Sequence, residues 1–96
     1  MIQEVAILTI KPNLNREFEL AFKEASHIIT SMPGYLSHSL QKCLEVDNRY
    51  LLLVNWETLE DHTIGFRQSK QYQTWKRLLH HFYDPFPNVE HYQRII

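Results

Sequence analysis

Read as a strand, the run from Ile2 to Ile10 is apolar on both faces, with Val5 and Ile7 on one side and Ala6, Leu8 and Ile10 on the other. A sheet with one wet face alternates apolar and polar residues along each strand. This strand therefore has to be covered twice. Any fold for the chain must put helices on one face of its sheet and a second cover on the opposite face.

Lys11-Pro12-Asn13 stops the run, and Asn13 or Asn15 can cap the next helix. Phe18, Ala21, Phe22, Ala25, Ile28, Ile29 and Met32 recur at steps of three and four, which predicts an amphipathic helix of about five turns. Pro33-Gly34 ends it. Tyr35 to Leu44 reads as a second strand, with Leu36, His38 and Leu40 on one face and Ser37, Ser39 and Gln41 on the other. The turn residues Asp47-Asn48 separate it from a third, Tyr50 to Trp56, so the two should form a hairpin.

From Trp56 to Trp75 the pattern is helical but broken. Thr58 and Asp61 have the spacing of a capping box, and Leu59, His62 or Thr63, and Phe66 then share a face. Gly65 interrupts, and Ser69 can cap a second piece that turns Tyr72, Trp75, Leu79 and Phe82 inward. Asp84-Pro85-Phe86-Pro87-Asn88 is a stiff return, and Val89 to Ile95 is the last strand, with Val89, His91, Gln93 and Ile95 on one face. The order strand, helix, strand, strand, helix, strand is the ferredoxin-like βαββαβ arrangement, an α+β fold with both helices on one face of an antiparallel sheet. At 96 residues the chain is one domain, 1–96, and a second copy packed sheet to sheet is the economical cover for the open face.

Bulk properties narrow the partners. Ten Lys plus Arg against eleven Asp plus Glu give a net charge of −1, so no global field draws nucleic acid or an anionic membrane. The lone Cys43 cannot form an intramolecular disulfide and suits a reducing cytoplasm. Met1-Ile2-Gln3-Glu4 opens neither a signal peptide nor a membrane span, and a cytoplasmic location is expected. There is no His-Glu-x-x-His, no paired Cys and no Gly-rich phosphate loop, so neither a dedicated metal site nor a cofactor is expected.

Several landmarks together resemble the antibiotic biosynthesis monooxygenase (ABM) family of dimeric α+β barrels. They are Ile10-Lys11-Pro12, Pro33-Gly34-Tyr35, Trp56-Glu57-Thr58, Glu60-Asp61-His62, Gly65-Phe66-Arg67-Gln68-Ser69, Trp75 and Val89-Glu90-His91-Tyr92. The resemblance implies a homodimer. It also implies three candidate activities: cofactor-independent oxygenation of an electron-rich phenol or quinol, haem degradation, or non-catalytic, stress-associated binding of a small molecule. Haem-degrading relatives carry an Asn in the first strand and a Trp at the position of Gly65. This chain has Val5-Ala6-Ile7-Leu8 and a glycine there, and its nearest axial-ligand candidates are His80 and His81, which disfavours that branch.

With a small aromatic molecule as the expected partner, His62 is the first candidate catalytic residue. It lies near a helix start, whose positive end favours the neutral imidazole that can accept a proton. His91 is the second, placed to meet it across a pocket. Trp56, Phe66, Tyr72 and Trp75 are the candidate substrate-binding aromatics, although aromatics at helical spacing also serve as core. Arg67 is placed to hold a substrate oxyanion. His27, His80 and His81 read as solvated helix residues.

Overall fold

The computed structural model describes residues 1–96. Its elements are β1 (Ile2–Thr9), α1 (Asn15–Ile29), β2 (Tyr35–Lys42), β3 (Arg49–Trp56), a π-helical segment (Asp61–Phe66), α2 (Lys70–Leu79), a 3-10 turn (His80–Phe82) and β4 (Val89–Tyr92). The four strands form one antiparallel sheet in the order β2-β3-β1-β4. This is the ferredoxin-like arrangement that the order of elements implies. No helix is long and apolar enough to cross a membrane.

Alternation along β1 divides the sheet. Ala6, Leu8 and Ile10 are buried with Leu52, Val54 and Trp56 of β3, against Phe18, Phe22, Ala25 and Ile29 of α1 and Trp75 and Leu79 of α2. The opposite face carries Val5, Leu51 and Leu53, all half-buried, and Ile7, which is 57% exposed. An isoleucine that open on a strand centre is apolar surface without a cover in the single chain.

Local departures from the sequence pattern have identifiable causes. The first helix ends at Ile29 and runs fifteen residues, nearer four turns than five, and no side chain caps its start. Asn13 instead takes a left-handed φ of 66°, and Asn15 Nδ2 donates to the Asp47 carbonyl across the fold. A bulge between Tyr35 and Ser37 puts Tyr35 opposite Trp56 and His38 opposite Val54, which turns Leu36 out of the row it was expected to share with His38. The last strand stops at Tyr92, after pairing with β1 from Ala6 back to Gln3. Gln93 and Ile95 therefore lie outside the sheet.

The broken helical stretch is built by its caps. Thr58 N–H donates to Asp61 Oδ2 and Asp61 N–H to Thr58 Oγ1, so the two residues bond reciprocally at 3.2 and 3.1 Å. The next turn is wide: Arg67 N–H reaches the His62 carbonyl five residues back at 3.1 Å. Such π-helical turns occur disproportionately at functional sites. Ser69 then restarts the helix, its Oγ accepting from Tyr72 N–H at 3.1 Å. Gly34, at φ 81°, lies directly against the Asp61 side chain, where a Cβ would collide with it. That contact seats the π-helical segment on the end of the sheet.

Candidate active site

Glu4 sits on β1 in phase with Ala6, Leu8 and Ile10, on the face covered by helices. Its neighbours across the sheet are Val54 on β3 and His91 on β4. It is a carboxyl only 6% exposed, and burial of that kind requires hydrogen-bonding partners. Trp56 Nε1–H donates to Oε1 at 3.0 Å, and His62 Nε2 stands 3.3 Å from the same oxygen. On its other edge, His62 Nδ1 is 2.8 Å from His91 Nε2. The Trp56 ring lies over the imidazole of His62, with centroids 5.4 Å apart and planes 19° from parallel.

Trp56 can only donate, and a carboxyl oxygen facing it accepts. His62 Nε2 faces that oxygen without the alignment of a hydrogen bond, and Nδ1 pairs with His91 Nε2. Both nitrogens of His62 thereby face protein groups. The 3.3 Å separation is longer than the 2.7–2.9 Å of a charged N–H···O pair, which suits neutral partners. Electrostatics point the same way. Burial raises the Glu4 carboxyl to about 7, against partial compensation from the Trp56 bond and the Arg67 charge. Burial, followed by Arg67 and His91, drives His62 down to about 3. His91 is lowered as well, by burial first and Arg67 second.

Beside this network lies a cavity of about 240 Å³, between the sheet and the second helical excursion. Its floor is Glu4, Ala6 and Leu8 of β1 with Leu52 of β3. One wall is His62, Phe66, Arg67, Tyr72 and Trp75, and the return toward β4 supplies the other, from His80 and Tyr83 to Val89. That return is held in place by Lys11 N–H donating to the Phe82 carbonyl and Asp84 N–H to the Thr9 carbonyl, both at 2.9 Å. Arg67 is the only Lys or Arg on the cavity wall, and no carboxylate lies within 4.0 Å of it. Its charge is felt at Glu4, His62, His91 and Tyr72.

The residues singled out from sequence divide into two groups. Phe66, Arg67, Tyr72, Trp75 and His62 line the cavity. Trp56 and His91 do not: Trp56 is fully buried behind His62, and His91 holds His62 from the strand side. Two residues that looked ordinary belong to the wall. His80, expected to be solvated, is half-buried between Tyr72, Tyr83 and Phe86, and burial lowers its pKa. It turns inward because the helix tightens into a 3-10 turn at that residue. Glu4 drew no notice in sequence, yet its alternation with Ala6, Leu8 and Ile10 was the available signal: a carboxylate in phase with a buried face.

Comparison with known proteins agrees with this architecture. The family described as "Antibiotic biosynthesis monooxygenase" matches residues 1–78. The uncharacterized protein YczJ of Bacillus subtilis (strain 168) is 60% identical over 95 residues, spanning 99% of this chain and 100% of its own. Among solved structures, a candidate antibiotic biosynthesis monooxygenase from Bordetella bronchiseptica superposes with a TM-score of 0.94 at 32% identity, covering 99% of this chain and 97% of that one. SnoaB, a cofactor-independent oxygenase from Streptomyces nogalater, shares the fold at TM-score 0.82 and 17% identity, over 99% of this chain and 93% of its own. Matched along most of its length by the family and closely by a full-length structure, the chain belongs to the antibiotic biosynthesis monooxygenase family.

Proposed function

We propose that the protein is a cofactor-independent monooxygenase acting on a small electron-rich aromatic of the phenol, quinol or anthrone type, and that it works as a homodimer. The observation that carries the reading is the juxtaposition of a buried Glu4–His62–His91 network with an aromatic-walled cavity whose single cation is Arg67. Oxygenation without a cofactor needs three things from a protein: a group to take the substrate's proton, a positive charge to hold the anion, and a site shielded from bulk water. The Glu4–His62 wall supports the first, Arg67 the second, and Phe66, Tyr72, Trp75 and Tyr83 the third.

For an anthrone-type methylene, atoms and electrons balance over five steps. The enzyme removes one proton, and the carbanion passes one electron to dioxygen. The organic radical and superoxide combine, and the peroxide anion takes the proton back. Loss of the second C–H proton with expulsion of hydroxide leaves the carbonyl and one water. The substrate supplies the electrons throughout.

Membership of the family and the fold shared with SnoaB support the reaction type, and the cavity supports a substrate of one to three fused rings. The exposed Ile7 and its apolar neighbours on the open sheet face support the dimer. The deciding measurement is oxygen uptake with a panel of hydroquinones and anthrones, for wild type and His62→Ala. Turnover that falls in the variant while ligand affinity persists is the expected result. Binding without oxygen uptake above a buffer control assigns the chain to non-catalytic, stress-associated ligand binding instead.

A further inference from the structure

We propose that Glu4, through Oε2, is the group that takes the proton from a hydroxylated aromatic bound in the cavity, that Arg67 holds the resulting oxyanion, and that His62 and His91 position the carboxyl without accepting the proton. The assignment rests on the oxygenase reading for its role in turnover, but not for the proton transfer itself.

Geometry separates Glu4 from His62. Each ring nitrogen of His62 faces a protein group, Glu4 on one edge and His91 on the other, so both edges of the ring are occupied. Both protein contacts of the Glu4 carboxyl fall on Oε1. Oε2 makes none, and Glu4 belongs to the cavity floor. The Trp56 Nε1–H donated to Oε1 also favours Oε2 as the oxygen that carries the proton, because an oxygen already facing a donor is the poorer place for a hydrogen.

Charge is distributed along the same lines. The ionisable groups around Glu4 and along the cavity are His62 and Arg67 from the π-helical stretch, Tyr72 from α2, His80 and Tyr83 from the return and His91 from β4. Burial holds the three histidines and both tyrosines toward their neutral forms. The cavity thus contains one permanent charge, Arg67, and one group that changes charge near neutral pH, Glu4. Moving a proton from an aromatic hydroxyl to Oε2 transfers a single negative charge from carboxylate to phenolate, beside the same guanidinium. The net charge of the site does not change, so the low-dielectric surroundings penalise the transfer little. A base with its pKa near the working pH is also the most effective kind.

The ligand class is therefore a neutral one- to three-ring aromatic with an ionisable hydroxyl. The probe is 2-naphthol, added anaerobically at a pH above the Glu4 midpoint and below that of free 2-naphthol. Wild type is expected to show the absorbance of bound naphtholate with no proton released to the buffer, measured by calorimetry in buffers of different ionisation enthalpy. Glu4→Gln, which keeps the acceptor for Trp56, is expected to bind the neutral form or to release a proton. Infrared titration of the unliganded wild type needs no variant: a protonated carboxyl band absent from Glu4→Gln should disappear around neutral pH.

In turnover, Glu4→Gln should lower kcat about 10²- to 10⁴-fold. His62→Gln should shift the midpoint of the pH profile and keep its ascending limb. The assignment is overturned by a Glu4 carboxyl already ionised in mildly acidic solution, by failure to bind 2-naphthol, by equal naphtholate formation without proton release in Glu4→Gln, or by turnover unchanged in that variant. Naphtholate formation in wild type without oxygen uptake on any substrate would sink the oxygenase reading and leave Glu4 as the proton acceptor.

Discussion

His62 Nδ1 and His91 Nε2 meet at 2.8 Å, which ties a side chain of the π-helical segment to the edge strand of the sheet. The bond does more than join two elements. It engages Nδ1 of a histidine that is 3% exposed and holds the ring with its other nitrogen 3.3 Å from Glu4. The wide turn at Asp61–Phe66 and the short pairing of β4 with β1 both serve this meeting point.

Removing one partner should therefore expose its worth. His91→Ala leaves Nδ1 of a buried imidazole without its partner, and such an orphaned group costs about 1–3 kcal/mol. Urea unfolding of the variant should show that loss with an unchanged m-value. A loss below about 0.5 kcal/mol would mean that water replaces His91 without penalty.

Glu4 makes stability depend on pH in a direction opposite to most carboxylates. Folding raises its pKa from 4.5 to about 7, so between those values the folded chain holds a proton that the unfolded chain has released. Its contribution is complete below about 4.5 and is lost as pH rises through about 7. His62 has the opposite slope: lowered from 6.5 to about 3, its contribution is complete above 6.5 and is lost as pH falls toward 3. The two oppose each other where their ranges overlap. Glu4→Gln removes only the first, so relative to wild type it should gain about 3 kcal/mol between about pH 4 and about pH 8. Chemical denaturation at both ends of that range checks it, and a difference independent of pH refutes the buried neutral carboxyl.

The two glycines should respond with opposite signs. Gly34 combines a φ of 81° with direct contact to Asp61, so Gly34→Ala should cost about 2 kcal/mol or more and lower Tm by roughly 10 °C. At Gly65 an added Cβ meets only the Glu60 carbonyl oxygen, at 3.8 Å. Gly65→Ala should leave Tm unchanged or raise it, by about 0.5 kcal/mol in stability, because the unfolded chain loses freedom. Calorimetry on the pair reads both at once.

The open sheet face predicts the assembly. Light scattering on a size-exclusion peak should report twice the chain mass at micromolar concentration. Ile7→Lys puts a charge at the centre of the apolar face and should yield monomers that retain the far-ultraviolet circular dichroism of wild type. A wild type that runs as a monomer would rule out a dimer held by this face.

Much of the architecture was legible because it depends on periodicity and end signals, which are local. The alternation in Ile2–Ile10, the three- and four-residue steps from Phe18 to Ile29, the Thr58/Asp61 box and the Ser69 cap each act within a few residues, and the elements they define fix the βαββαβ order. His62, Phe66, Arg67, Tyr72 and Trp75 could be named for the same reason, since they share one broken helical stretch. What tertiary structure decided was which partner each side chain meets. Glu4 shares the phase of Ala6, Leu8 and Ile10 in sequence, but its partners are set only when β1 pairs with β3 and β4 and places it between Trp56 and His91. His80 reads as solvated until a 3-10 turn and Phe86 enclose it, and Leu36 reads as sharing a face with His38 until a bulge turns it out. Each of these outcomes depends on strand register or on a turn closing over distant residues. The energies involved come from burial and from contacts between residues far apart in the chain, 52 positions for Glu4 and Trp56 and more for Thr9 and Asp84, which no local pattern encodes.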